Sequence, residues 1–335
     1  MRYAETIIVG GGPAGSTCAA ELVKRGQDVL VLDKAGFPRL KLCAGWITQK
    51  AVDDLGETLD GYPHPILKLD IRTYFPKIPF GLNWFPTPAA NYSIRRTEFD
   101  HWLLERSRAP VEKHAVKAIV RDGEGYVIDD TYRCRYLVGA GGTMCPVRRN
   151  LFDGTPRKSL QIATLEKEFP LPERSDRCHL YFFRRGLRGY AWFVPKGNGH
   201  VNIGLGGKSK YFKNSGTNIH DHFRDFLGDL VVQGLLDEKT AGSMKATGHP
   251  YFMFAYEGDV RRDNCFLIGD SAGLASIDLG EGIGPAIESG MMAAAAICGD
   301  GVYTRAGITH YSLGGVPLRL MQRFYRPKGR MPQAN

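Results

Sequence analysis

The sequence predicts an α/β fold in which a parallel, nucleotide-binding sheet carries a second, mostly antiparallel sheet. Three observations predict it. A β-branched apolar run over residues 6–9 opens directly into a glycine-rich turn, Gly10-Gly11-Gly12-Pro13-Ala14-Gly15. A second strand-to-turn passage, Cys265-Phe266-Leu267-Ile268-Gly269-Asp270, stands near the other end. Between them lie segments such as 177–183 and 200–205, whose polar and apolar residues alternate with the period of half-buried strands.

The first unit is complete. Thr6-Ile7-Ile8-Val9 reads as a buried parallel strand. Gly10, Gly12 and Gly15 form G-x-G-x-x-G, and residues 16–25 read as a helix stopped by Gly26. Val29-Leu30-Val31-Leu32 is a second strand ending at Asp33. Pyrophosphate binding needs this order. Gly10 makes the tight turn, Gly12 lets the backbone approach phosphates, and Gly15 lets helix and strand pack closely. The helix N-terminus supplies unpaired N–H groups and a partial positive charge. Asp33 is placed to accept hydrogen bonds from ribose hydroxyls. The unit is a Rossmann-type dinucleotide site, but it does not separate NAD from FAD.

Near the C-terminus, Asp270 is expected at the end of a strand, at the mouth of the sheet. Gly280-Glu281-Gly282-Ile283-Gly284 then opens a helix over 285–296, whose first amides could meet a negatively charged ring edge. Arg96-Thr97-Glu98-Phe99-Asp100 and Tyr190-Ala191-Trp192-Phe193-Val194-Pro195 complete the set of marked segments.

Together these four segments resemble the FAD-dependent oxidoreductases of the p-hydroxybenzoate hydroxylase fold, and most of all the geranylgeranyl reductase family. The resemblance runs from residue 3 to roughly residue 300. It implies FAD as cofactor, held by Gly10, Gly12, Pro13, Ala14, Gly15, Asp33, Lys34, Cys43, Ala44, Gly45, Arg96, Val116, Gly269, Asp270, Gly280, Gly282 and Ile283. It implies NADPH or another reductant as the electron donor. Two departures stand out. Val194 replaces Phe in the Y-x-W-x-F-P pattern. Gly141 stands where hydroxylases of this fold carry Asp in a GADG-type motif, which puts their handling of reduced nicotinamide in doubt. Arg148 and Arg149 after it could serve phosphates or cap a helix.

Composition bounds the rest. Of 335 residues, 43% are hydrophobic and 24% charged, which excludes wholesale disorder. Glycine is high at 41 residues, suiting many tight turns or close approaches to a ligand. The net charge of +9 favours an anionic partner, although a basic surface without a role is the plainer account. No zinc-finger spacing or RNA-binding aromatic box suggests nucleic acid. Seven scattered cysteines without a C-x-x-C pair argue for a reducing compartment. The N-terminus has no basic region ahead of an apolar stretch, and no apolar run reaches transmembrane length. The expected location is therefore cytoplasmic, with peripheral membrane contact left open.

The FAD-binding domain is expected to be discontinuous, over 1–60, 95–155 and 255–300. Residues 61–94, rich in Pro and aromatics, and 156–254 are expected to form the mostly antiparallel substrate domain over the cofactor. Residues 301–335 are expected to be a C-terminal helical tail, and 220–236 a helix. Some motifs fail. Gly207-Lys208-Ser209 imitates the end of a phosphate loop, but Asn202 stands where glycine is required. His220 and His222 do not share a helical face, so no metal is expected.

Three residues are candidates for the reaction. Cys43 lies near Arg39 and Lys41; cationic neighbours favour thiolate, and such a thiol could donate or relay a proton. The plain alternative is a small packing residue. Tyr190 and Trp192, two apart on a strand, share a face. They could form an aromatic wall for a small apolar or isoprenoid substrate, with the Tyr hydroxyl as a donor, or simply pack a core. Three functions follow. The first is reduction of a C=C bond by hydride from reduced flavin. The second is an aromatic monooxygenase or halogenase of the same fold. The third is a non-catalytic flavin-binding electron carrier or sensor.

Overall fold

The computed structural model describes residues 1–76, 80–82, 90–152, 160–171, 176–214, 218–254 and 258–312. A six-stranded sheet forms the base. Its order is 261–262, 265–267, 136–139, 6–9, 29–33 and 111–113, parallel throughout except for the first pair. The run Thr6–Val9 is fully buried, as are Val29–Asp33 and Cys265–Leu267. Burial on both faces is why these strands read as unbroken apolar runs.

The helix after the glycine turn spans Pro13–Lys24, beginning three residues before the expected start. Proline fits the first helical position, where its missing N–H has no intrahelical partner to lose. A second helix, Ile283–Ile297, packs against it. The helix expected over 220–236 covers Ile219–Val232 and stops early. Gly234 turns left-handed at φ 68°, and Leu235 N–H donates back to the Leu230 carbonyl.

The second six-stranded sheet has the order 247–252, 161–170, 200–208, 189–196, 177–182 and 70–74. All pairs are antiparallel except the last. Its outer face packs on helix 219–232 through Phe193, Ile203, Leu205, Phe223 and Phe226. Among the described residues of the 61–94 segment, Asp70–Tyr74 joins this sheet as a strand, and Leu82 bridges back to Thr73 at its edge. Leu67–Lys68 and Asn91–Ser93 pair instead with Trp46–Thr48 in a three-stranded sheet. A four-stranded sheet of 2–3, 132–134, 125–128 and 119–122 was not anticipated. Its strands are only two to four residues long, and all but Gly125–Ile128 carry a charged residue, so they lack a sustained apolar signal. Trp84, Phe85 and residues 313–335 lie outside the described residues, and within 301–312 the only helical element is a short turn at Arg305–Gly307.

Candidate functional site

A cavity of about 830 Å³ lies at the carboxyl ends of the parallel strands, facing the inner side of the antiparallel sheet. Open α/β sheets hold their ligands in this position. At one end is the glycine turn. Gly10 has φ 116°, and a Cβ there would lie 2.5 Å from the Ala140 carbonyl carbon. A Cβ on Gly15 would overlap the Gly10 carbonyl oxygen, so this glycine is required behind the lining rather than in it.

The helix that starts at Pro13 has no side-chain cap and no acid in its first turn, which leaves its first N–H groups to an anion. Arg39 stands over the turn, its Nη2 3.3 Å from where a Gly12 Cβ would be. Asp33 ends its strand and accepts N–H bonds from Gly11 at 2.8 Å and Ala35 at 2.9 Å. It thus fastens the turn to the strand, and a carboxylate keeps lone pairs for a ribose. Lys34 and Val116 line the same end. Asp270 faces the cavity, and no hydrogen bond to its carboxylate forms among the described residues. The donors and acceptors present fit a dinucleotide: an uncapped helix end and Arg39 toward pyrophosphate, Asp33 and Asp270 toward hydroxyls.

Farther in, Lys196 pins the 43–45 loop. Its buried Nζ donates to the Ala44 carbonyl and, at 2.8 Å, to the Ile94 carbonyl. Burial holds that ammonium below the ordinary lysine range. Gly45, at φ 65°, is buried behind the lining, whereas Cys43 and Ala44 face the cavity. Arg96, Lys41 and Lys196 are the cations close enough to act on Cys43 electrostatically. Arg96 also holds buried Asp100 with two bonds, at 2.6 and 2.8 Å. Arg39, expected beside the thiol, instead pairs with Asp100 at 3.4 Å. Lys41 Nζ lies 2.8 Å from His249 Nε2. Burial depresses both groups, His249 to about 4 with Lys41 adding to the effect.

The antiparallel sheet supplies the facing wall. Tyr190 and Trp192 lie side by side on its cavity face, ring centroids 5.5 Å apart, while Phe193 points to the opposite core. The Tyr190 hydroxyl donates to the Leu279 carbonyl at 2.6 Å, so its proton is already engaged. Burial pushes its ionisation well up. The Trp192 indole N–H donates to Asn202 Oδ1 at 2.7 Å. Across the sheet, Trp192 is in register with Gly204, and Gly204 with Glu166. A Cβ on Gly204 would lie 2.6 Å from Trp192 Cε2 and 2.7 Å from the Glu166 Cβ. The glycine therefore lets indole and carboxyl share one floor. Glu166 accepts from Asn202 Nδ2 at 3.0 Å. Burial pushes its carboxyl up to about 7, against the pull of Asn202 and of Lys196, Lys41 and Arg96.

At the third edge, Gly269, Gly280, Gly282 and Ile283 line the cavity. The helix end expected to meet a ring edge already has an acceptor: Glu281 Oε1 takes the Gly284 N–H at 2.8 Å. Burial raises Glu281 to about 7. Gly141 sits in a crowded turn, where a Cβ would come 3.2 Å from both Cys145 Cα and Pro146 Cδ. Buried Arg148 donates to the Thr143 carbonyl, which closes its own loop, whereas Arg149 reaches the cavity.

Glu166, His249, Lys196 and Asn202 escaped the sequence reading. In Gln161–Pro170, Glu166-Lys167-Glu168 looks like a solvated charge run; only the period-two register with Thr164 and the facing glycines reveals an inward carboxyl. Among the described residues no His, Cys, Asp or Glu cluster could hold a metal, and no helix is long and apolar enough to cross a membrane. The cysteines among the described residues are all free.

Residues 8–69 match the family of NAD(P)-binding Rossmann-like domains. An uncharacterised protein of Methanosarcina barkeri is 30% identical over 89% of this chain and 75% of its own length. A menaquinone reductase of Mycolicibacterium smegmatis is 29% identical over 92% of this chain and 78% of its own. Digeranylgeranylglycerophospholipid reductase 3 of Methanosphaera stadtmanae is 28% identical over 88% and 77%. Among solved structures, a geranylgeranyl bacteriochlorophyll reductase-like protein of Thermoplasma acidophilum superposes with a TM-score of 0.71 at 20% identity, covering 90% of this chain and 80% of that one. At that identity the likeness shows the fold.

Proposed function

Because the chain belongs to the geranylgeranyl reductase family of FAD-dependent oxidoreductases, we propose that it reduces C=C bonds of an isoprenoid or similarly apolar substrate. The observation that carries this reading is the cavity itself. Its inner wall is apolar, with the aromatic rings of Tyr190 and Trp192 beside Leu180 and Val194 on one face, and its rim holds the groups placed to bind the cofactor. Reduced FAD bound there supplies hydride to the double bond. Gly10, Gly12, Pro13 and Ala14 would hold its pyrophosphate, with Gly15 behind them letting helix and strand pack; Asp33, Lys34 and Val116 would hold its adenosine end, and Asp270 would accept from one of its hydroxyls. Cys43, Ala44, Arg96, Gly269, Gly280, Gly282 and Ile283, with Gly45 supporting their loop from behind, would hold its redox-active end. Cys43, Tyr190 and Trp192 border the reacting carbons and exclude water from them.

NADPH or another reductant reloads the cofactor. The protein works in the cytoplasm, at the edge of a membrane where such substrates reside. The relatives named for reduction of digeranylgeranylglycerophospholipid and of menaquinone support an isoprenoid substrate. A monooxygenase or halogenase would share the fold, but Gly141 replaces the hydroxylases' acid, and its turn is too tight for a larger side chain without movement. Steady-state NADPH oxidation separates these readings. Reduced alkene formed without oxygen supports reduction. Substrate-stimulated peroxide or a hydroxylated or halogenated product would refute it, and so would no turnover with any prenyl substrate.

A further inference from the structure

One acid in the cavity wall, Glu166, has no part in holding the cofactor. Glu166 is 2% exposed yet lines the cavity, next to the Trp192 ring across Gly204. Its neighbours fix which of its oxygens can carry a proton. An indole N–H can only donate, so the Asn202 oxygen must face Trp192. Asn202 Nδ2 therefore points at Glu166 Oε2 and at the Cys43 carbonyl, 3.0 and 3.3 Å away. Oε2 is an acceptor, and a proton on this carboxyl resides on Oε1. Among the neighbouring acids, Tyr190 gives its proton to the Leu279 carbonyl at 2.6 Å, and the Cys43 sulfur accepts the Gly45 N–H at 3.3 Å.

We infer that Glu166 is the general acid of the reduction, donating its Oε1 proton to one carbon of the substrate double bond. The inference rests on the reductase reading. The step balances. The π bond breaks, one carbon takes hydride from the reduced flavin, which is oxidised by two electrons, and the other takes the Glu166 proton. The carboxylate left behind is reprotonated from solvent. Burial keeps the carboxyl protonated up to about pH 7, although Lys196 from strand 189–196, two strands away, Lys41 from the 39–45 loop and Arg96 from its helix all favour ionisation. The phenols of Tyr190 and Tyr251 also act on it, and His249 lines the cavity on the neighbouring strand opposite Thr164. The donor form is lost above about pH 7, so the reductive step slows there.

The test uses full-length protein loaded with FAD, reduced anaerobically with dithionite and mixed with geranylgeranylglycerol. Flavin reoxidation by this probe is followed by absorbance. Glu166→Gln keeps the shape and the Asn202 bond but cannot supply the proton. It is expected to keep its FAD and slow reoxidation about 10²–10⁴-fold, the range for loss of a general acid. The falling alkaline limb of the wild-type pH profile disappears with it. Glu166→Asp retains a slower, still titrating reaction. Infrared difference spectra of the wild type without substrate should show a protonated-carboxyl stretch near neutral pH that Glu166→Gln removes, a readout independent of turnover and of the variant's activity. A wild-type reoxidation rate in Glu166→Gln, or no such band, overturns the assignment while leaving the reductase reading intact. A wild type that the probe cannot reoxidise overturns both.

Discussion

Replacing Gly204 with alanine tests whether the floor of the cavity is built by the absence of a side chain. Gly204 has ordinary extended backbone, so alanine costs nothing in φ/ψ, and reduced freedom of the unfolded chain favours it by about 0.4–1 kcal/mol. Against that, the new methyl would stand 2.6 Å from Trp192 Cε2 and 2.7 Å from the Glu166 Cβ, with both of those residues buried. Neither neighbour is the free end of a flexible chain. Overpacking of this kind costs about 1–3 kcal/mol. If the indole swings away it also loses its bond to Asn202, worth roughly 1 kcal/mol. The expected net loss is about 1–3 kcal/mol, together with blue-shifted or red-shifted Trp192 emission. The control is Gly228→Ala. Gly228 lies inside helix 219–232, and a Cβ there meets nothing within 4 Å. It should gain roughly 0.5–1 kcal/mol. Urea unfolding of both variants, FAD-free and FAD-loaded, measures the pair. A Gly204→Ala protein as stable as Gly228→Ala would refute the packing argument.

Other expectations follow from the same cavity. Asp270→Ala should weaken FAD retention by roughly 1.5–3 kcal/mol, the scale for a hydrogen bond to a charged group; unchanged affinity by fluorescence titration removes Asp270 from the site. Cys43→Ser still offers an acceptor to the Gly45 N–H, so anaerobic flavin reoxidation should slow less than about tenfold, whereas a loss of about 10²-fold at normal FAD content would return the proton to the thiol. Stability of the FAD-free protein should also depend on pH. Glu166 and Glu281 hold their protons to about pH 7, while unfolded glutamates release them near ~4.3. Their contribution is complete below the unfolded value and is lost as pH rises through about 7. His249, held near 4, acts oppositely, but only up to its unfolded value of ~6.5. Urea midpoints should therefore fall between pH 6.5 and about 7.5, and Glu166→Gln should flatten that fall; an equal fall in the variant refutes it.

What could be seen in the sequence follows from how locally each feature is encoded. The glycine turn, the two buried strands around it and the turn at Gly269-Asp270 are written in contiguous residues, because a phosphate-binding loop needs fixed spacing along the chain. Tyr190 and Trp192 were assignable to one face because strand period is local. Glu166, by contrast, acquires its meaning from Gly204 and Trp192 on other strands, and its own neighbours Lys167 and Glu168 disguise it. The charge around Cys43 was half legible for the same reason: Lys41, near in sequence, does act on the thiol, whereas Arg39 pairs with Asp100 and Arg96 arrives from a helix more than fifty residues on. Glu281 shows the complementary limit. Its position in a glycine-rich turn was evident, but its capping of Gly284 depends on the turn folding back.

Whether this cavity holds FAD and uses it to saturate an isoprenoid double bond is decided by a single anaerobic turnover of the purified, FAD-loaded, dithionite-reduced protein with geranylgeranylglycerol, analysed by mass spectrometry. One product per flavin is expected, heavier than the probe by two hydrogen atoms, with the flavin returned to its oxidised form. Unchanged probe beside flavin that stays reduced, followed by an oxygenated or halogenated product only when air is admitted, would contradict it.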